Sequence, residues 1–415
     1  MLDFPSGRWL GGSVLEPSAD AYVAYLQRHG YAATSVRGYL RCVEHLAYWL
    51  SARRIPLRRL DDALVRQFLS EHLPACSCPG RWQRTPHQVR AALRHLLRVL
   101  RAAGHIEAVR NRMPTTIQNE LERFDAHLTR TCGLAPATRR SRLRGAGAFL
   151  RGRFGSTPIR LDAISAGAVT AFIVRPDDDP RPGRARELCG ALRSYFRFRA
   201  VTCGDRVDGL IAAIPTVAQW RLAALPPYLT SDELCRFLGA FDRARPGGRR
   251  GYAMARCMVD LGLRAGEVAA LTFEDFNWPD GTLTIRRSKS RRADVLPLPV
   301  PTGQAIVEYV RRARPHVTSR SLFVRHHAPL DAPFTTTCVR SAIRLAYAHC
   351  GLAQRYTGTH VLRHTAATRM RCAGASLKDI ADVLRHRSLD TTTTYTKVDQ
   401  PRLAAVAAPW PGGAS

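Results

Sequence analysis

At 415 residues the chain is too long for one ordinary hydrophobic core and is expected to form two or three domains. Its 63 basic against 33 acidic residues leave a net charge of +30 spread along the whole length, which favours a polyanionic partner, nucleic acid being the usual one. No apolar run approaches the ~18 residues of a membrane span, no lipidation signal is present, and the start MLDFPSGRWLGG lacks the basic-then-apolar order of a secretion signal, so membrane and secreted classes are set aside.

Eleven scattered cysteines, an odd number, fit free thiols in a reducing bacterial cytoplasm, nucleoid-associated when bound to DNA. Nearly all the positive charge is arginine: Lys289, Lys378 and Lys397 are the only lysines, so each survives a strong bias.

Over residues 20–50 apolar side chains recur three and four apart with a break near Gly30, which predicts two helices. A loop RRIPLRRLDD, a helix over ALVRQFLSEHL, a Cys/Pro-rich turn and a helix over HQVRAALRHLLRVLRAAG follow. The pattern returns about a hundred residues later. GYAATSVRGYLRC at Gly30 matches GLAPATRRSRLRG at Gly133, IPLRRLDDALVRQFL at Ile55 matches IRLDAISAGAVTAFI at Ile159, and AALRHLLRVLRAAG at Ala91 matches GALRSYFRFRAVTCG at Gly190. Three blocks in order point to a duplicated helical unit, although chance likeness between amphipathic helices explains any one of them.

HIEAVRNRMPTT and PTVAQWRLAALPPYLT read as linkers, and RPDDDPRPGR as a loop inside the second unit. The expected domains are therefore 1–112, 113–222 and 223–415. In the last of these SDELCRFLGAFDRA predicts a helix capped by Ser231. GTLTIRRSKSRRADVLPLPV predicts a hairpin: Leu283 and Ile285 alternate with polar residues, a Ser-Lys-Ser turn intervenes, and Val295, Leu296 and Leu298 lead back. The fold class is mainly α with a small β-hairpin or sheet.

The candidate chemical groups of this last domain are individually bland. Arg264 and Glu267 in LGLRAGEVAAL have the spacing of a routine helix pair, Lys289 in RRSKSRR fits a solvated turn, and His360, Arg363 and His364 in THVLRHTAATRM fit structural roles. LRHRSLDTTTTYTKVD adds His386 and Tyr395, the tyrosine in a polar, threonine-rich segment where a turn or cap is the ordinary explanation.

Together and in this order, Arg264, Lys289, His360, Arg363, His386 and Tyr395 resemble the catalytic set of the tyrosine recombinase (phage-integrase) family. GLRAGEVAAL looks like the family's first-arginine box, HVLRHTAATRM like its His-x-x-Arg box, and ADVLRHRSLDTTTTYTKV like the segment with the second histidine and the nucleophile. The resemblance covers about Tyr228 to Val398, and the helical units before it look like the family's SAM-like core-binding domain. One departure is visible: Arg385 stands where the family usually has glycine. The resemblance implies site-specific cutting and rejoining of double-stranded DNA through a 3′-phosphotyrosyl link, by four protomers on two sites, with accessory proteins in some systems.

The chemistry suits these residue types independently. Attack on a phosphodiester gathers charge on non-bridging oxygens, which planar donors such as Arg264 and Arg363 stabilise. A tyrosine of pKa ~10 needs neighbouring cations and a proton acceptor to become a nucleophile. His360 fits the acceptor, His386 a donor to the phosphate, and Lys289 on a hairpin the proton source for the departing 5′ oxygen. Glu267 either orients Arg264 or forms a mere helix pair, and His364 is structural or supports its neighbours. No metal and no cofactor is expected in this scheme, because arginines supply the charge that Mg²⁺ supplies elsewhere.

Arg139, Arg140, Arg144, Arg193 and Arg197 are candidates for DNA contacts, against the alternative of solvated helix faces. Cys76, Cys78, His87 and His95 are all zinc-ligand types, but the C-x-C spacing is narrower than usual finger pairs, so a turn with buried thiols is preferred. The rival functions are a type IB topoisomerase, which relaxes DNA without exchanging partners, and a DNA-binding architectural protein without catalysis.

Overall fold

The computed structural model describes residues 10–79, 82–107, 115–174, 182–216, 226–286, 294–330 and 332–385. Apolar residues spaced three and four apart build the first helical unit: α1 (Ala19–Arg28), α2 (Ala33–Ala52), a 3₁₀ turn at Leu57–Arg59, α3 (Asp62–Gln67) and α4 (Pro86–Ala102). Leu26, Leu40, Leu46, Leu50, Leu93 and Leu97 meet in its core. The break near Gly30 is a left-handed turn, with φ at +76°. Asp61 caps α3, its carboxylate accepting from the Leu64 amide at 2.7 Å. Where one continuous helix is predicted over residues 63–73, α3 passes at Phe68 into a single π-type turn, Phe68–His72, closed by the Leu73 amide on the Phe68 carbonyl.

The second unit repeats the order of elements: α5 (Thr115–Arg130), α6 (Pro136–Phe154), a 3₁₀ turn at Leu161–Ala163, α7 (Ala166–Ile173) and α8 (Pro182–Cys203), followed by the short α9 (Asp208–Ala212). Its own core gathers Ile117, Phe124, Phe149, Leu192 and Phe196. Glu120 is buried there and is fully answered, accepting from Tyr195 Oη and Arg199 Nη1, both at 2.9 Å.

The C-terminal part comprises α10 (Ser231–Gly239), α11 (Pro246–Asp260), α12 (Ala265–Ala270), strands β1 (Phe276–Asn277), β2 (Thr282–Ile285) and β3 (Asp294–Pro297), then α13 (Val300–Arg312), α14 (Thr336–His349), α15 (His360–Cys372) and α16 (Leu377–Leu384). Met254, Cys257 and Met258 of α11 are buried with Ile306, Tyr309, Val339 and Leu362. The sheet is antiparallel in the order β1-β2-β3, with Leu283 opposite Leu296 on the buried face. The predicted hairpin is thus present with one added strand, and on the returning strand Leu296 is buried while Val295 is exposed.

The cap of α10 is Thr230 and not Ser231. Thr230 Oγ1 accepts from the Glu233 amide, and the Glu233 carboxylate accepts in return from the Thr230 amide, a reciprocal pair that a cap one residue later would lack. Among the described residues no helix is long and apolar enough to cross a membrane.

Candidate active site

Arg264 is placed by the turn that follows α11. Gly262 has φ +61°, and a Cβ added to it would lie 2.2 Å from Leu384 Cδ2, so both backbone conformation and packing demand glycine. Leu263 is buried and Arg264 becomes the residue before the first turn of α12. Glu267, three residues on, accepts from the Arg264 amide through Oε2 and from Arg264 Nη1 through Oε1, each at 2.8 Å. One carboxylate therefore fixes both the backbone and the guanidinium of Arg264, whose side chain stays 26% exposed.

The same carboxylate has a second cation. Arg385 Nη2 donates to Glu267 Oε2 at 2.7 Å, with both side chains almost completely buried. Burial alone would raise the Glu267 pKa, but Arg385, the Arg264 amide and the Arg264 guanidinium outweigh it and hold the carboxyl below its ordinary range. Burial lowers Arg385 in turn, with Glu267 opposing. Two guanidinium groups on one carboxylate leave a positive excess beside the partly exposed Arg264, which suits an anion.

Arg363 fastens the segments together. From α15 its Nη1 donates to the Gly262 carbonyl at 2.6 Å and its Nη2 to the Leu384 carbonyl. The first-arginine turn and the end of α16 are thus held by one buried guanidinium. His360 is exposed at the first position of α15, one turn before Arg363 on the same side. His364 is held down to about 4 by burial and by His360 and Arg363, so its imidazole is neutral at neutral pH.

Arg385 ends α16 in the left-handed conformation, φ 55° and ψ 51°. That backbone favours glycine, the residue that the resemblance noted in the sequence implies at this position. Arginine occupies it here while its side chain pairs with Glu267. The sequence marks Arg385 as a departure but does not reveal its partner; the available signal was a buried-type carboxylate three residues after Arg264 and a surplus arginine beside His386.

Lys289, His386 and Tyr395 lie outside the described residues. The described chain leads toward them from the site. α16 stops at Leu384, and β2 and β3 flank the Lys289 segment, with Asp294 at the start of β3 acting electrostatically on Arg385.

The five arginines of the second unit divide by partner. Arg139 pairs bidentately with Asp125, at 2.7 and 2.6 Å, and Arg193 Nη2 donates to the Ile214 and Pro215 carbonyls. Arg140 and Arg197 are exposed, and Arg144, 73% exposed, is 3.7 Å from Glu187. Among the zinc-ligand types, His87 is exposed and His95 is hydrogen bonded to Tyr25 and Tyr31, so neither joins Cys76 and Cys78.

Residues 227–402 match the Phage integrase family, and residues 19–104 match the phage integrase N-terminal SAM-like domain. The SAM-like match falls on the first helical unit. The chain is 33% identical over 397 residues to y4rA of Sinorhizobium fredii (strain NBRC 101917 / NGR234), an integrase/recombinase by name, covering 95% of this chain and 94% of that one. In fold it is similar to XerH site-specific recombinase bound to palindromic difH substrate, with TM-score 0.53 and 20% identity over 71% of this chain and 89% of that one. It is also similar to a lambda integrase (75–356) dimer bound to a COC′ core site, with TM-score 0.53 and 18% identity over 67% and 94%.

Proposed function

Since this chain belongs to the phage integrase family of tyrosine recombinases, enzymes that cut and rejoin DNA at specific sites, we propose that its reaction runs through Tyr395 at a phosphate held by Arg264 and Arg363. The phenol oxygen attacks phosphorus, the bond to the 5′ oxygen breaks, and a 3′-phosphotyrosyl link forms. His360 takes the phenol proton, His386 donates a hydrogen bond to the phosphate, and Lys289 supplies the proton that the leaving 5′ oxygen needs. The covalent link conserves the energy of the broken phosphodiester, so a 5′ hydroxyl of the same or another strand reverses the step without ATP.

The observation that carries this reading is the bridge made by Arg363 between the Gly262 and Leu384 carbonyls. It brings the turn before Arg264, the start of α15 and the root of the His386–Tyr395 segment to one place. The positive excess around Glu267 supplies the electrostatics for a backbone phosphate.

The partner is double-stranded DNA, and exchange of strands between two sites calls for four protomers taking turns, with accessory proteins where the reaction uses them. The test is strand exchange between two labelled duplexes carrying the recognition site of this recombinase. Joined products are expected from the wild-type chain and none from Tyr395→Phe; products undiminished in that variant would overturn the assignment. Relaxation of supercoiled DNA without exchange would point to a topoisomerase instead.

A further inference from the structure

We propose that the first helical unit holds a structural zinc ion between His45, His72, Cys76 and Cys78. Their ligand atoms all lie within 4.8 Å of one another. His45 Nε2 is 3.2 Å from Cys76 Sγ and 3.3 Å from His72 Nε2, and His72 Nε2 is 3.4 Å from Cys78 Sγ. A tetrahedral zinc with bonds of ~2.0–2.1 Å to nitrogen and ~2.3 Å to sulfur sets nitrogens ~3.3 Å apart and nitrogen from sulfur ~3.6 Å. The nitrogen–nitrogen separation equals its figure, and the two nitrogen–sulfur separations fall within ~0.4 Å of theirs.

A hydrogen-bonded cluster accounts for them less well. An imidazole nitrogen offers either one lone pair or one N–H. Here the single Nε2 of His45 faces two partners at once, and so does that of His72. Two atoms each approached twice along converging directions describe a common centre. His45 is completely buried, so its convergence on these groups is set by the fold and not by a mobile surface chain.

The ligands come from three different pieces of backbone: His45 from α2, His72 from the last position of the π-type turn, and Cys76 and Cys78 from the loop that follows. The extra residue of a π turn re-aims the side chains after it, a device frequent at functional sites. Trp82 stacks on the His45 ring at 5.3 Å and Phe68 meets it edge-on at 5.1 Å, closing the apolar side. Two thiolates and two imidazoles in a tetrahedral set select zinc. Four protein ligands leave no open position, so the ion holds the loop to α2 and does no chemistry.

Zinc content of the full-length chain, purified under reducing conditions without a metal-affinity tag, tests the site. The wild type and His87→Ala are expected to retain stoichiometric zinc through desalting. Cys76→Ser/Cys78→Ser and His72→Ala are expected to lose it and to melt at lower temperature. Replacement by Co(II) in the wild type is expected to give tetrahedral d–d absorption with a thiolate charge-transfer band, a readout that stands even if the cysteine variants do not fold. A wild-type chain that stays free of zinc after loading, a Co(II) form without the thiolate band, or a folded cysteine variant that keeps its zinc would each overturn the proposal.

Discussion

Glu267 answers two guanidinium groups, Arg264 three positions before it and Arg385 118 positions after it, and almost no water reaches the contact with Arg385. Removing one partner of such a buried set leaves charge uncompensated, typically at ~3–5 kcal/mol. Glu267→Gln is therefore expected to lower the denaturant midpoint and to cut formation of the covalent DNA adduct more than tenfold, by ~1.4 kcal/mol or more of weakened stabilisation. Its folded pKa is depressed, so its stabilising share is complete above the unfolded value of ~4.3 and disappears as pH falls through the lower folded value. Unfolding curves taken across the acid range should show that decline in the wild type and a shallower one in Glu267→Gln. Arg385 gives a sharper comparison. Glycine and alanine both delete the ion pair, but only alanine keeps the left-handed cost of ~1–2 kcal/mol. Arg385→Ala should be less stable than Arg385→Gly by about that amount in urea titrations; equal midpoints would remove the backbone argument.

At the scale of elements, the turn between α11 and α12 is where small changes reach furthest. Gly262→Ala meets Leu384 and forces a left-handed backbone together, displacing the carbonyl to which Arg363 donates. Thermal melting should fall by several degrees and adduct formation should be nearly abolished, whereas an unchanged melt would show the turn to be tolerant. The helices of the first unit and the β2–β3 hairpin were legible because apolar periods of 3.6 and 2 are explicit in the residues. Strand β1 has two residues, too few to display a period. The π-type turn was not legible, because Phe68 and Leu69 continue a helical pattern whichever hydrogen bond closes it. For the same reason His45 reads as one more member of the buried face of α2, and proximity along the chain drew attention to His87 and His95 instead.

For the whole molecule, the charge of +30 implies binding dominated by phosphate contacts and falling steeply with salt. The second unit offers a way to separate candidate DNA-contact arginines from scaffold. Alanine at Arg140, Arg144 and Arg197 together should weaken DNA binding and reduce the slope of log affinity against log salt by ~0.9 for each phosphate no longer neutralised. Arg139→Ala and Arg193→Ala, whose partners are Asp125 and two carbonyls, should instead lower stability and leave that slope unchanged. The repeated order of helices was legible in three matched blocks. Convergence of Arg264 and Arg363 was legible only as an ordered set of motifs, and the pairing of Arg385 with Glu267 was not legible at all, since the hydrogen bonds concerned join residues more than a hundred positions apart. The most direct test of that convergence is tandem mass spectrometry of the adduct trapped on a nicked duplex, after digestion by protease and nuclease. A 3′-linked nucleotide on the peptide containing Tyr395, at that residue alone, is the expected result. A nucleotide on any other side chain, or an adduct formed equally well by Arg264→Ala, would contradict the account.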